Sequence, residues 1–129
     1  MRLRLEYAPE RRISPLSPWV HRGVDAPFWR ASSFEPPMPN AAPGQGYPVW
    51  TLEHRGREIF FVSPEEIDHA IDILGREILP TSRDLGQPYL AVNSHWLSRL
   101  HRSWKPWKVR QRMVRALRSA PQTACPQTA

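Results

Sequence analysis

The chain has 129 residues, one cysteine and a formal net charge of +6. This length suits one domain, and no apolar run approaches the roughly 20 residues that span a bilayer. A single cysteine excludes a disulfide-stapled secreted scaffold. Because no apolar signal segment follows the basic start, the sequence predicts a cytoplasmic protein with no membrane insertion. Its bias toward arginine, proline and alanine is typical of a GC-rich bacterial genome.

Positive charge is concentrated toward the C-terminal end. Residues 1–92 carry ten Lys/Arg and twelve Asp/Glu, whereas residues 93–129 carry eight Lys/Arg and no acid. The sequence therefore predicts a nearly neutral body with a cationic end, and such segregation is a feature of proteins that bind polyanions.

The N-terminal part predicts a strand followed by an arm. Residues 2–7 alternate between apolar and charged side chains, which is the pattern of a strand with one buried face. Nine prolines between residues 8 and 48 exclude a regular helix or a central strand there. Because large aromatic residues are scattered through the same stretch, residues 1–46 are predicted to form the strand and a proline-rich arm that wraps the domain.

A β-hairpin and a helix are predicted next. Residues 49–54 and 57–62 are rich in β-branched and aromatic residues, and Gly56 lies between them at the turn. Ser63 then begins a capping-box pattern with Glu66 three residues later, and an apolar face with helical spacing follows. The pattern predicts a helix over 64–74.

Toward the C-terminus, a short helix is predicted over 94–100 and a longer one over 104–119. The tail, 121–129, repeats one tetrapeptide and is predicted to be disordered. The fold prediction is therefore α+β: an antiparallel sheet of about three strands packed by two main helices within a compact domain at 47–120. A body this small has a marginal core, so a second copy of the chain is a candidate partner.

The basic C-terminal segment, which includes one face of the last predicted helix, carries the candidate binding site. Guanidinium groups bind phosphates bidentately, and neutralising a polyanion releases counterions. Tryptophan beside arginine is suited to stacking on unpaired bases, and a helical wheel places Trp104 on the basic side. The candidate nucleic-acid-binding residues are Arg99, Arg102, Trp104, Lys105, Lys108, Arg112, Arg115 and Arg118.

Three alternatives remain open for this basic face. The first is that the face is exposed to solvent, and the second is that it docks on the acidic side chains of the 64–74 helix. The third is that it lies on an anionic membrane. The last is the least favoured, because the apolar side of the helix is needed for the core.

No catalytic, metal-binding or cofactor-binding pattern stands out. The five histidines lack metal-site spacing, and no phosphate loop or nucleophile motif is present. The sequence therefore predicts a non-enzymatic protein that binds nucleic acid without a cofactor. The alternative prediction is a regulatory accessory protein of a bacterial mobile element or phage that docks on an acidic protein surface.

Overall fold

The computed structural model describes residues 1–78 and 96–120, apart from the side chains of Ser98 and Arg99. The predicted tail at 121–129 and the first two residues of the predicted 94–100 helix lie outside the described residues. None of the helices in the described ranges has the length and apolar content needed to cross a membrane.

The fold is α+β, as the sequence predicts. In chain order the elements are β1 (Arg2–Ala8), α1 (Ser17–Val20), β2 (Arg22–Gly23), β3 (Phe34–Glu35), β4 (Tyr47–His54), β5 (Arg57–Phe61), α2 (Pro64–Leu74), α3 (Trp96–Arg99) and α4 (Trp107–Arg118), with 3-10 turns at Phe28–Arg30 and Arg102–Trp104.

The main sheet is the predicted antiparallel one, with strand order β1-β4-β5. Its register pairs Leu5 with Trp50 on one side of β4 and Leu52 with Ile59 on the other. Since side chains alternate along a strand, Trp50 and Leu52 both point into the core, where they are buried. A second, two-stranded sheet of β2 and β3 was not predicted.

A two-residue turn joins β4 to β5. Arg55 and Gly56 both have positive φ, at 52° and 77°. Two consecutive positive φ values match the hairpin turn whose twist fits the flanking strands, and glycine takes such a conformation without steric cost. The turn leaves β5 at the edge of the sheet.

Helix α2 begins at the predicted cap. The hydroxyl of Ser63 accepts a hydrogen bond from the backbone N–H of Glu66 at 3.1 Å. In a capping box, the side chain at the third helical position accepts from the backbone N–H of the cap residue. The Glu66 carboxylate instead accepts from the N–H of Val62, the residue before the cap, at 3.1 Å.

Helix α4 begins at Trp107, three residues later than predicted. Pro106 has ψ of 143° and is the N-cap residue. A proline inside the helix would clash with the carbonyl four residues earlier, so residues before it form a separate 3-10 turn. The apolar side of α4 is buried at Met113, Val114 and Leu117, and this helix contacts α2, β1 and β4.

The proline-rich segment contributes to two apolar clusters. Leu16 and Trp19 belong to the main core, which also contains residues of the sheet, α2 and α4. Phe28 and Met38 form a second cluster with Val62.

Candidate nucleic-acid interface

The basic side chains of α4 lie on its solvent side. Lys108, Arg112, Arg115 and Arg118 are exposed, as is Arg102 in the preceding 3-10 turn, and Lys105 is half-buried. Because α4 buries the opposite stripe, helical spacing alone directs these cations outward. The side chain of Arg99, the remaining cation predicted for this site, is outside the described residues.

Within residues 1–78 and 96–120, no ion pair joins these exposed cations to an acidic side chain. The acids of α2 are engaged elsewhere or point to solvent. Glu66 is buried, Asp72 pairs with Arg76 at 3.0 Å, and Glu65 and Asp68 are exposed. Docking of the basic face on α2 is therefore not what the described part of the chain shows.

Trp104, the predicted stacking residue, does not lie on the exposed basic face. Its side chain is 2 % exposed, and its ring lies 6.4 Å from the ring of His54. The helical wheel misplaced it because Trp104 precedes Pro106 and belongs to the 3-10 turn, not to α4. A ring that solvent does not reach cannot stack on a base.

Arg110 is separated from the other cations by burial. Its guanidinium donates to the main-chain carbonyls of Leu74 at 3.3 Å and Glu77 at 3.0 Å, and also to that of Arg76. It also donates to the carbonyl of Lys105 at 2.6 Å. The C-terminal carbonyls of a helix lack partners within the helix, so Arg110 closes the end of α2 and has a structural role.

Two arginines of the β4–β5 hairpin, Arg55 and Arg57, lie close to histidines that are also near cations of the C-terminal segment. Burial lowers the pKa of His54, and the charges of Arg112, Arg55 and the chain N-terminus lower it further. Burial also lowers the pKa of His101, helped by Arg57 and Arg102. His54 and His101 are therefore each near one cation of the hairpin and one cation of the C-terminal segment.

We call the combined set the cationic surface. Sequence reasoning missed its hairpin members because they are about fifty residues away along the chain and only sheet packing brings them close. Its members are Arg55, Arg57, Arg102, Lys105, Lys108, Arg112, Arg115 and Arg118.

A cleft of about 790 Å³ runs along the edge strand β5. Residues of β5, including Ile59 and Phe60, line one part of it, and Leu100 and His101 line another. Trp29 lies on its wall and is 68 % exposed. The cleft thus combines apolar and aromatic surface with two charged residues of the hairpin, Arg57 and Glu58.

A buried polar cluster fastens the proline-rich segment to the start of α2. His21, Ser63 and Glu66 are all fully buried. The Glu66 carboxylate accepts hydrogen bonds from the hydroxyls of Ser14 and Ser17, the latter at 2.7 Å. The cluster therefore joins three hydroxyls, an imidazole and a carboxylate from separate segments. They form hydrogen bonds with one another, as buried polar groups in proteins usually do.

This cluster differs from a catalytic triad in its geometry. The Nε2 atom of His21 lies 2.7 Å from the Ser63 hydroxyl and 3.3 Å from Glu66, and Nδ1 donates to the carbonyl of Pro36 at 2.7 Å. In a triad the carboxylate holds the ring nitrogen opposite the nucleophile. Here serine and carboxylate share one nitrogen, so the arrangement supports the fold.

The other described histidines and acids form no metal-binding group. No three His, Cys, Asp or Glu side chains gather within residues 1–78 and 96–120 in a way that could hold a metal ion. His69 instead accepts a hydrogen bond from the indole N–H of Trp96 at 3.1 Å, and burial lowers its pKa.

Comparison with models of protein families, with curated proteins and with solved structures finds no match to this chain.

Proposed function

We propose that the chain binds nucleic acid through the cationic surface, as a binding protein and not as an enzyme. The observation that carries the proposal is the exposure of the α4 cations without an acidic partner in the described part of the chain. Because no carboxylate within residues 1–78 and 96–120 pairs with them, these cations are available to a polyanion, whose condensed counterions are released on binding.

The arrangement favours contact with phosphates. Arginine dominates the cationic surface, and its planar guanidinium binds phosphate with two parallel hydrogen bonds. Lys108, Arg112 and Arg115 lie on one rigid helix at spacings of three and four residues, which places them on one face. Phosphate contacts position a protein on nucleic acid but do not read its sequence, so the proposed binding is tolerant of sequence.

Removing three of these cations tests the proposal. The variant Lys108→Ala/Arg112→Ala/Arg115→Ala is compared with the wild type by fluorescence anisotropy on labelled single-stranded DNA, duplex DNA and RNA across a salt series. We expect weaker binding and a salt slope whose magnitude falls by about 3, roughly one for each lost phosphate contact.

A charge-matched control separates a site from a general effect of net charge. The variant Arg11→Ala/Arg22→Ala/Arg76→Ala also removes three exposed arginines, but from the N-terminal segment and the end of α2. It should keep a near wild-type salt slope. Equal losses in the two variants, or no loss in the first, would sink the assignment to α4.

A second candidate is docking on an acidic protein surface. The same exposed guanidinium groups favour it, because carboxylates also accept bidentate hydrogen bonds from arginine. Absence of binding to every nucleic acid at low salt, together with salt-sensitive capture of a defined acidic protein that the triple variant loses, would favour this candidate.

A further inference from the structure

The most exposed aromatic ring in the described part of the chain belongs to Trp29. Its side chain is 68 % exposed, and it stands on the wall of the cleft beside β5. Single exposed apolar residues are ordinary, but this one lies on a concave surface whose lining is mostly apolar. Concave apolar sites with a few polar groups are the usual setting for ligands.

Trp29 packs against one buried neighbour, Phe28. Its ring meets the ring of Phe28 edge to face, with centroids 5.0 Å apart. Phe28 is buried and lies 5.2 Å from the ring of Phe34. The loop around them is braced by Asp25, whose carboxylate accepts from the hydroxyl of Ser32 at 2.5 Å. A ring fixed in this way loses little conformational freedom when a ligand stacks on it.

The cleft also carries positive charge. Arg57 lines it and is exposed, and Arg102 is close enough to His101 in the cleft wall to lower the pKa of that histidine. The acid on this stretch of β5, Glu58, pairs with Arg4 at 2.9 Å, and Arg4 also pairs with Glu6 and Glu53. The cleft therefore offers the guanidinium of Arg57 beside an apolar and aromatic lining, which suits a ligand with flat rings and a group that accepts hydrogen bonds.

We propose that the cleft takes the unpaired bases of a single-stranded nucleic acid, with Trp29 as the stacking residue and Arg57 and Arg102 beside the phosphates. This inference rests on the proposed function and deepens it by naming the form of nucleic acid. Bases in a duplex are already stacked and do not enter a side cleft, whereas single strands bind through aromatic platforms flanked by cations.

Substitution of Trp29 tests the inference. Binding of a labelled 20-nucleotide oligo(dT) and of a duplex of the same length is measured by anisotropy at one low salt concentration. Stacking on one base is worth enough that Trp29→Ala should weaken oligo(dT) binding by about 5- to 150-fold. Duplex affinity should not change, and Trp29→Phe should keep most of the oligo(dT) affinity.

Val24→Ala is the matched control, because Val24 is an exposed apolar residue, at 63 %, of the same segment. It should leave both affinities unchanged. Circular dichroism checks that each variant is folded. Both side chains are exposed, so we expect their replacement to leave the core intact. Equal oligo(dT) affinity of Trp29→Ala and the wild type overturns the inference and leaves the proposed function standing.

Two other outcomes would also overturn the inference. If the wild type binds neither oligonucleotide, both the proposed function and this inference fail. If a proline-rich peptide quenches Trp29 fluorescence and oligo(dT) does not displace it, the cleft belongs to a protein partner and the inference is overturned.

Discussion

Arg110 donates a hydrogen bond to the main-chain carbonyl of Glu77 at 3.0 Å, although the two residues are 33 positions apart. The same guanidinium reaches the carbonyls of Leu74 and Arg76. One side chain of α4 thus satisfies the carbonyls at the end of α2. Burial lowers the pKa of Arg110, and these carbonyl bonds compensate the buried charge.

Replacing Arg110 should therefore destabilise the fold. We expect Arg110→Ala to lower the free energy of unfolding by about 2 kcal/mol, because it removes the donor to the buried carbonyl of Leu74 and to the partly buried carbonyls of Arg76 and Glu77. Arg110→Lys should recover little, since an ammonium group lacks the planar fork that reaches several carbonyls. Urea unfolding followed by circular dichroism measures both.

The control for Arg110 is its neighbour Arg112. Arg112→Ala removes the same type of side chain from the exposed side of α4 and should change the unfolding free energy by no more than about 0.5 kcal/mol. Similar effects of the two alanine substitutions would show that the carbonyl contacts do not stabilise the protein.

The His21–Glu66 pair predicts a pH-dependent contribution to stability. Burial opposes the charge on His21, but the hydrogen bond to Glu66, the carbonyl of Pro36 and the nearby charges of Glu66 and Glu65 together raise its pKa. A raised pKa means that the folded state binds the proton more tightly than the unfolded chain. The contribution is thus fully present below the unfolded pKa of about 6.5 and is lost as pH rises through the folded value.

The measurement is the unfolding free energy of the wild type and of His21→Gln, which does not titrate, at pH 5.5 and pH 8.5. The advantage of the wild type should be larger at pH 5.5. At each pH, the unfolding free energy of His21→Gln is subtracted from that of the wild type. The subtraction removes the contribution of the other histidines, such as His54 and His69, whose lowered pKa values give the opposite pH trend. A difference that is the same at both pH values would contradict the prediction.

Trp104 borders the cleft but should not serve as a stacking surface. Its ring is 2 % exposed, and its buried indole N–H has no hydrogen-bond partner among the residues that the structure describes. Trp104→Phe should leave the affinity for oligo(dT) within about twofold of the wild type, because a buried ring offers no stacking surface. Anisotropy measures the affinity, and Trp29→Ala is the comparison.

The stability of Trp104→Phe gives a second readout. Its cost should stay below the roughly 3–5 kcal/mol of removing a whole ring, because the change also removes an unsatisfied donor. If the folded Trp104→Phe variant binds oligo(dT) more weakly than the wild type, Trp104 contributes to the binding surface.

Local patterns in the sequence determined the main elements. Alternation predicted β1 because a strand repeats every two residues, and β-branched and aromatic residues on either side of Gly56 predicted the hairpin strands. The Ser63 cap and the apolar face predicted α2 to the residue, since both signals lie within a few positions of each other. Helical spacing likewise placed Lys108, Arg112 and Arg115 on one exposed face of α4.

Only the tertiary structure decided the roles of individual side chains. Pro106 interrupts the helix, and the turn before it carries Trp104 into the core. Arg110 and Glu66 are charged residues whose burial depends on partners far away along the chain, and no local pattern encodes such partners. The cleft that exposes Trp29 likewise forms only when the proline-rich segment packs beside β5, because long-range packing, not sequence spacing, brings those segments together.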